Sequence, residues 1–258
     1  MSLMKRILSA AAVLALSASL LVGCSSGTAS SVPVSASSAA ESTVSSVEET
    51  ASSAVDENEA AAAQLLNDLT GSYQELWPVI LADEYKQTWL DVCTALVGED
   101  NAEAAFEKLS SMVTGDVYGE DAVKAYANGG GAYFCGFTNS LAILTFDGET
   151  STISGTDKDG NVLFSHTYHY IGMEPVRGLY EFQSDDADSG EFTYFFLAPD
   201  TSAETYHIEF RYGSDAEALS QYDTGEYAYW LASGISTDCD QTMIDNCIEL
   251  FCTENLAG

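Results

Sequence analysis

Basic residues are scarce in this sequence. It has 8 Lys and Arg against 40 Asp and Glu, a formal net charge of −32. A surface of this sign repels nucleic acid and anionic lipid headgroups, so both are excluded as partners of the folded domain. The acidity attracts cations loosely, but it serves mainly solubility and does not by itself indicate a metal site.

The signatures of common enzyme classes are also missing. The chain contains no Gly-x-Ser-x-Gly, His-Glu-x-x-His or Cys-x-x-Cys motif, and it has only 3 histidines. These motifs mark serine hydrolases, zinc hydrolases and redox or structural zinc sites. Paired carboxylates discriminate nothing in so acidic a chain. We therefore expect a protein that is not an enzyme.

Long apolar runs are confined to the N-terminus. Lys5 and Arg6 precede an apolar stretch at residues 7–22, and Leu21-Val22-Gly23-Cys24 has the form of a lipobox. The stretch is too short and too rich in small residues for a membrane-spanning helix. We predict a lipoprotein signal peptide at residues 1–23, lipidation of Cys24, and a location at the extracellular face of the cell membrane through the lipid anchor alone.

Residues 25–60 lack aromatic and basic side chains and consist mostly of Ser, Ala, Thr, Val and Glu. Such a segment buries too little apolar surface to offset its ordering entropy. We predict a disordered stalk at residues 24–60 and one domain at residues 61–258. All 14 Tyr, 11 Phe and 3 Trp lie in that domain.

Five cysteines follow Cys24, at Cys93, Cys135, Cys239, Cys247 and Cys252. An exported protein can pair four of them, and the sequence leaves the connectivity open. Cys247 and Cys252 are five residues apart on a predicted helix, about 140° apart around its axis, which disfavours a bridge between them.

Hydrophobic periodicity predicts helices first, then strands, then a final helix. Apolar stripes of helical spacing cover residues 65–69, 76–96 and 105–113, and the final stripe covers residues 243–252. Alternating runs lie at residues 132–137, 141–146, 150–154, 162–170, 179–183, 192–197 and 205–212. The predicted fold class is α+β, with an antiparallel barrel or sandwich between an N-terminal helical lobe and a C-terminal helix.

The run at residues 205–213 contains the side chains that best fit a binding site. Alternation places His207, Glu209 and Arg211 on one face of the strand and apolar side chains on the other. His207 and Glu209 are about 6.5–7 Å apart along the strand, which allows both to reach one ion and forms half of a zinc site. In the alternative interpretation, Glu209 pairs with Arg211 and His207 is a hydrogen-bonded barrel residue.

Four segments resemble, in the same order along the chain, segments of the ZinT (YodA) family of secreted zinc-binding proteins. The domain of this family also forms the C-terminal part of some Gram-positive zinc-binding lipoproteins. The first segment, Gly-Ser-Tyr-Gln-Glu-Leu-Trp-Pro at residues 71–78, resembles the helix that opens the family's domain. The second and third are Val-Arg-Gly-Leu-Tyr-Glu at residues 176–181 and Leu-Ala-Pro at residues 197–199. The fourth, residues 207–219, resembles the family's His-x-His strand and its continuation. The resemblance implies a lipocalin-like (calycin) barrel. The family's three histidines fall on Phe195, His207 and Glu209, so one position has lost its ligand.

The resemblance implies a lipid-anchored zinc-binding protein that captures a divalent metal ion and passes it to an uptake permease. The third ligand would come from Asp200 or Glu204 on the connecting loop, or from His169 if its strand lies beside the site. The alternative is a degenerate ZinT-like barrel that binds a small organic ligand or a surface partner without metal. The Tyr-rich segment at residues 222–230 then lines the ligand site or packs the barrel.

Overall fold

The computed structural model describes residues 57–127, 131–199 and 207–256. Eight antiparallel strands in this part of the chain form a closed barrel, in which each strand pairs with the next and the last pairs with the first. Helices flank the strands at both ends of the chain, which confirms the predicted α+β class. No helix among the described residues is long and apolar enough to cross a membrane.

The strands are β1 (Gly71–Glu75), β2 (Ile143–Asp147), β3 (Thr152–Thr156), β4 (Val162–Met173), β5 (Tyr180–Ser184), β6 (Tyr194–Leu197), β7 (His207–Gly213) and β8 (Ala232–Ser236). The helices are α1 (residues 57–68), α2 (Leu76–Ile80), α3 (Lys86–Val97), α4 (Glu99–Val113), α5 (Glu120–Ala127), α6 (Ala216–Leu219) and α7 (Gln241–Leu256). Short 3-10 helices lie at Asp83–Tyr85 and Gly190–Phe192.

Aromatic side chains fill the barrel. Alternate residues of each strand point inward, and an eight-stranded barrel has an interior just wide enough for side chains to fill. The ring of Phe195 on β6 is fully buried and lies 5.9 Å from that of Phe164 and 5.4 Å from that of Tyr212, between centroids. The interior is therefore a packed core.

A second core lies between the outer wall of the barrel and the helices. It contains Trp77, Trp89, Leu109 and Ile248 from the helices and Ile235 from β8. The indole nitrogen of Trp89 donates a hydrogen bond of 2.7 Å to the carbonyl of Ile80. The C-terminal stripe thus packs α7 against the barrel, as its periodicity predicts.

Two strands differ from the sequence-based expectation. Residues 71–78 were expected to open a helix, but residues 71–75 form β1, which joins β2 to β8 and closes the barrel. Tyr73 is the inward residue of β1, and its ring meets that of Phe146 at 5.7 Å. The strand β8 was missed because its small residues are buried on both faces and show no alternation. The run at residues 132–137 forms only isolated bridges, through Phe134.

Gly148 provides a test of how α1 packs against the β2–β3 turn. A Cβ atom at this position would lie 2.6 Å from the backbone nitrogen of Asn67 and from the carbonyl oxygen of Leu66. Because these are backbone atoms, Gly148→Ala is expected to destabilise the fold by about 1–3 kcal/mol, measured by urea unfolding.

Gly172→Ala is the matched control for this substitution. Its Cβ would meet nothing nearer than a carboxylate oxygen of Glu181 at 3.9 Å. We expect a change within about 0.5 kcal/mol. Equal effects of the two substitutions would contradict the docking of α1, whose helical residues 57–60 precede the predicted domain start at Ala61.

Candidate functional site

The first residues of β7 place two ligand-type side chains outside the barrel. Ile208 and Phe210 point into the core and are 2% and 0% exposed. His207 and Glu209 alternate with them on the outer face and are half-buried. Pairing with β8 fixes this arrangement, since Glu209 lies opposite Ser233 in the register.

A narrow cleft separates this face of β7 from helices α2 and α7. Its polar lining consists of His207, Glu209, Cys247 and Glu254, and its apolar lining of Leu76, Trp77, Ile80, Leu250 and Phe251. Cys247 and Glu254 are seven residues apart, so they project from the same side of α7. The cleft encloses about 30 Å³, which is room for about one water molecule or one ion.

The thiols near this cleft are protonated at neutral pH. Burial raises the pKa of Cys247 to about 12, and the neighbouring thiol of Cys239 and the carboxylates of Glu209 and Glu254 raise it further. Burial likewise raises the pKa of Cys135 to about 12, with Glu209 as the second cause. The ligands available to a metal ion in this cleft are therefore an imidazole and carboxylates, not a thiolate.

Arg211 shares the face of His207 and Glu209 but has a different environment. It is fully buried, and its guanidinium donates to the backbone carbonyls of Leu219, Gln221 and Tyr227. Its Cζ lies 4.4 Å from the ring centroid of Tyr222. Burial lowers the pKa of Arg211, although a guanidinium stays charged in proteins. Arg211 thus ties β7 to the segment at residues 219–227, a role that sequence reasoning missed.

His169, the other candidate ligand that the structure describes, lies away from the cleft. His169 is on β4, which is separated from β7 by β5 and β6. Its Nδ1 lies 2.7 Å from Asp185, and the Nδ1 of His166 lies 2.7 Å from Asp186. The strand of His169 is therefore not beside the cleft.

Three predicted residues, Asp200, Glu204 and Cys24, lie outside the described residues, as do the signal peptide and most of the stalk. Asp200 and Glu204 precede His207, the first residue of β7, by seven and three positions in the sequence. The aromatic segment at residues 222–230 packs on the barrel: the ring of Trp230 meets that of Tyr212 at 5.0 Å.

Phe195 lies on the opposite face of the sheet from His207 and Glu209. It pairs directly with Tyr212 across β6 and β7, and residues paired in this way project from the same face. Tyr212 is an odd number of residues from both His207 and Glu209, so they project from the other face. The three positions that match the histidines of the resembled family are thus divided between the barrel interior and the cleft.

Among the residues that the structure describes, no group of three or more His, Cys, Asp or Glu side chains is arranged to hold a metal ion. His207 and Glu209 offer two of the three or four ligands that zinc requires. Imidazole nitrogen and carboxylate oxygen are both zinc ligands, so the donor chemistry fits and the number of ligands is incomplete.

Two solved structures from Streptococcus pneumoniae are similar to this chain. The Zn(II)-bound ZinT-like domain of AdcA is 15% identical, with a TM-score of 0.45 over 71% of this chain and 89% of that chain. Zn(II)-bound AdcA is 14% identical, with a TM-score of 0.42 over 72% of this chain and 35% of that chain. No protein-family model matches the sequence, and no curated protein matches it.

Proposed function

We propose that this protein binds a divalent metal ion, zinc in the first place, in the cleft between β7 and α7. The observation that carries the proposal is the placement of His207 and Glu209 side by side in a space with room for about one ion. The neutral imidazole and the carboxylate each donate a lone pair to the metal. The proposed role is capture of the ion outside the cell, not catalysis.

The remaining ligands come from the two segments next to His207 and Glu209. Glu254 lines the cleft from α7, and Asp200 and Glu204 precede β7 in the sequence. Because the described residues hold no group of three such ligands, a three-ligand site of His and acidic residues requires either a movement of Glu254 toward His207 and Glu209 or a carboxylate from Asp200 or Glu204. The barrel order gives no comparable access to His169.

The proposed location follows from the N-terminus. A lipid on Cys24 would tether the chain to the extracellular face of the cell membrane, and the residues between Cys24 and α1 would act as a flexible spacer. A bound ion is then held close to the membrane, where an uptake permease can receive it.

Zinc titration by calorimetry tests the proposal. The metal-stripped protein is expected to bind one zinc ion with submicromolar affinity, in enough salt to screen loose binding to its acidic surface. His207→Ala is expected to weaken this binding by at least about tenfold, because it removes the nitrogen ligand. Affinity should also fall from about pH 7.5 to pH 5.5, since the imidazole must lose its proton to bind the metal.

His169→Ala is the matched control. It removes a histidine that lies on β4, away from the cleft, and that pairs with Asp185. We expect it to bind zinc like the unaltered protein. Weak binding at several sites, equal in all three proteins, would contradict the metal proposal. Loss of binding in His169→Ala alone would move the site to β4.

A groove on the helical side favours a second candidate function, the binding of a small organic ligand. It has a volume of about 340 Å³ and is lined by Trp77, Pro78, Leu81, Phe134 and Cys135, together with Glu75 and residues 113–115 and 136. A ligand site of this kind is concave and mostly apolar, with few polar groups. If zinc binding fails the test above, this groove, and not the filled barrel interior, is the candidate ligand site.

A further inference from the structure

Two cysteines meet in the helical core, away from the metal cleft. The Sγ atoms of Cys93 on α3 and Cys252 on α7 are 4.0 Å apart, and both residues are 0% exposed. They are 159 positions apart in the sequence. The contact therefore joins the helical lobe to the C-terminal helix.

We propose that Cys93 and Cys252 form a disulfide bond when the chain folds in an oxidising compartment. A disulfide has an S–S distance of about 2.05 Å, so the two sulfurs must approach by about 2 Å. Rotation about the two Cα–Cβ bonds and a small shift of α7 supply that movement. The inference rests on the proposed export of the protein, because a reducing compartment keeps both thiols reduced.

The other cysteines have different neighbours. The thiol of Cys135 lies 3.8 Å from the carbonyl of Tyr133. Cys247 projects into the metal cleft, about 140° around α7 from Cys252. Cys239 is close enough to Cys247 to help raise its pKa, but the sulfur–sulfur contact at 4.0 Å among the described residues is that of Cys93 and Cys252.

The bond forms by thiol–disulfide exchange during folding. In the folded chain, burial raises the pKa of Cys93 and raises that of Cys252 to about 12, so neither thiol is ionised there at neutral pH. Before α7 docks, one thiolate attacks the disulfide of an oxidised dithiol oxidoreductase and forms a mixed disulfide. The second thiolate displaces the reduced enzyme, so the protein loses two protons and two electrons and the oxidoreductase gains them.

This bond also bears on the proposed metal site. The helix α7 supplies the outer wall of the cleft through Cys247 and Glu254. A covalent link from Cys252 to α3 limits how far that wall can move. Because the link closes a long loop, we expect its effect on the unfolded state to be large.

Peptide mapping and thermal unfolding of the full chain test the inference. After refolding in a mixture of oxidised and reduced glutathione, a non-reducing protease digest is expected to join the Cys93 and Cys252 peptides, with a mass about 2 Da below their sum. The oxidised protein is expected to melt about 5–15 °C above the same protein after reduction.

Variants separate this bond from other effects of oxidation. Cys93→Ala and Cys252→Ala should each abolish the difference in melting temperature between the oxidised and reduced forms, whatever their own stability, while Cys135→Ala keeps it. Free thiols at both positions after oxidation, or a link from Cys252 to another cysteine, would overturn the inference. Zinc binding by Cys93→Ala is measured separately, so failure of the disulfide leaves the metal proposal untouched.

Discussion

Arg211→Met is expected to lower the free energy of unfolding by about 3–5 kcal/mol, one of the two largest effects among the substitutions considered. The guanidinium is fully buried and donates to the carbonyls of Leu219, Gln221 and Tyr227. Methionine fills a similar volume but offers no donor, so two buried carbonyls and one partly buried carbonyl lose this partner. Urea unfolding followed by tryptophan fluorescence measures the change.

Arg177→Met is the matched control for Arg211→Met. Its guanidinium stacks on the same Tyr222 ring, with the Cζ atom 4.5 Å from the centroid, but the side chain is exposed. An exposed cation–π contact contributes about 0.5–1 kcal/mol. If both substitutions cost the same, the carbonyl network around Arg211 does not stabilise the fold as we describe.

The strand β7 shows how far sequence reasoning extends. Alternation predicts its length and which residues share a face, because one face is apolar and the period is two. It does not predict that Arg211 is buried. That depends on the carbonyls at residues 219–227, which fold back over β7 through contacts beyond any local pattern.

The barrel's closure could not be read from periodicity. The strands β1 and β8 pair with each other, and this pairing joins the start of the domain to residues 232–236. Residues 71–75 lead into an apolar helix, so the sequence predicts helix there, while the residues of β8 are buried on both faces and show no alternation. Barrel closure is a long-range constraint, and here it overrides weak local preference.

The candidate site, like the fold, can be predicted from the sequence only in part. The spacing of His207 and Glu209 places them in one cleft, because residues two positions apart on a strand project from the same face. The sequence does not show that Cys247 and Glu254 line the opposite wall, since they come from α7, which docks through apolar residues. One sequence signal could have indicated that these two residues line the cleft. Cys247 and Glu254 are seven residues apart, which places them on the same side of the helix that is expected to pack on the barrel.

Phe195→His is the second substitution with a large expected effect. Family resemblance places a metal-binding histidine at this position, yet the ring of Phe195 is fully buried among Phe164, Tyr168, Phe210 and Tyr212. An imidazole there loses aromatic packing and buries polar nitrogens without partners, so we expect a loss of about 3–5 kcal/mol. Calorimetric titration is expected to show no gain in zinc affinity, because the new ligand points away from His207 and Glu209.

Ala198→His is the contrasting substitution, three residues further along the chain. The backbone nitrogen of Ala198 donates to the carbonyl of Glu209 at 2.9 Å, which continues the β6–β7 register and places the side chains of these two residues on the same face. Cross-strand neighbours have Cβ atoms about 4.5–5.5 Å apart, within reach of a shared ion. For the folded variant we expect zinc to bind more tightly by on the order of tenfold, because a third ligand joins His207 and Glu209. A gain in zinc affinity from Phe195→His and none from Ala198→His would reverse the facing assigned to β7 and refute the cleft as the metal site.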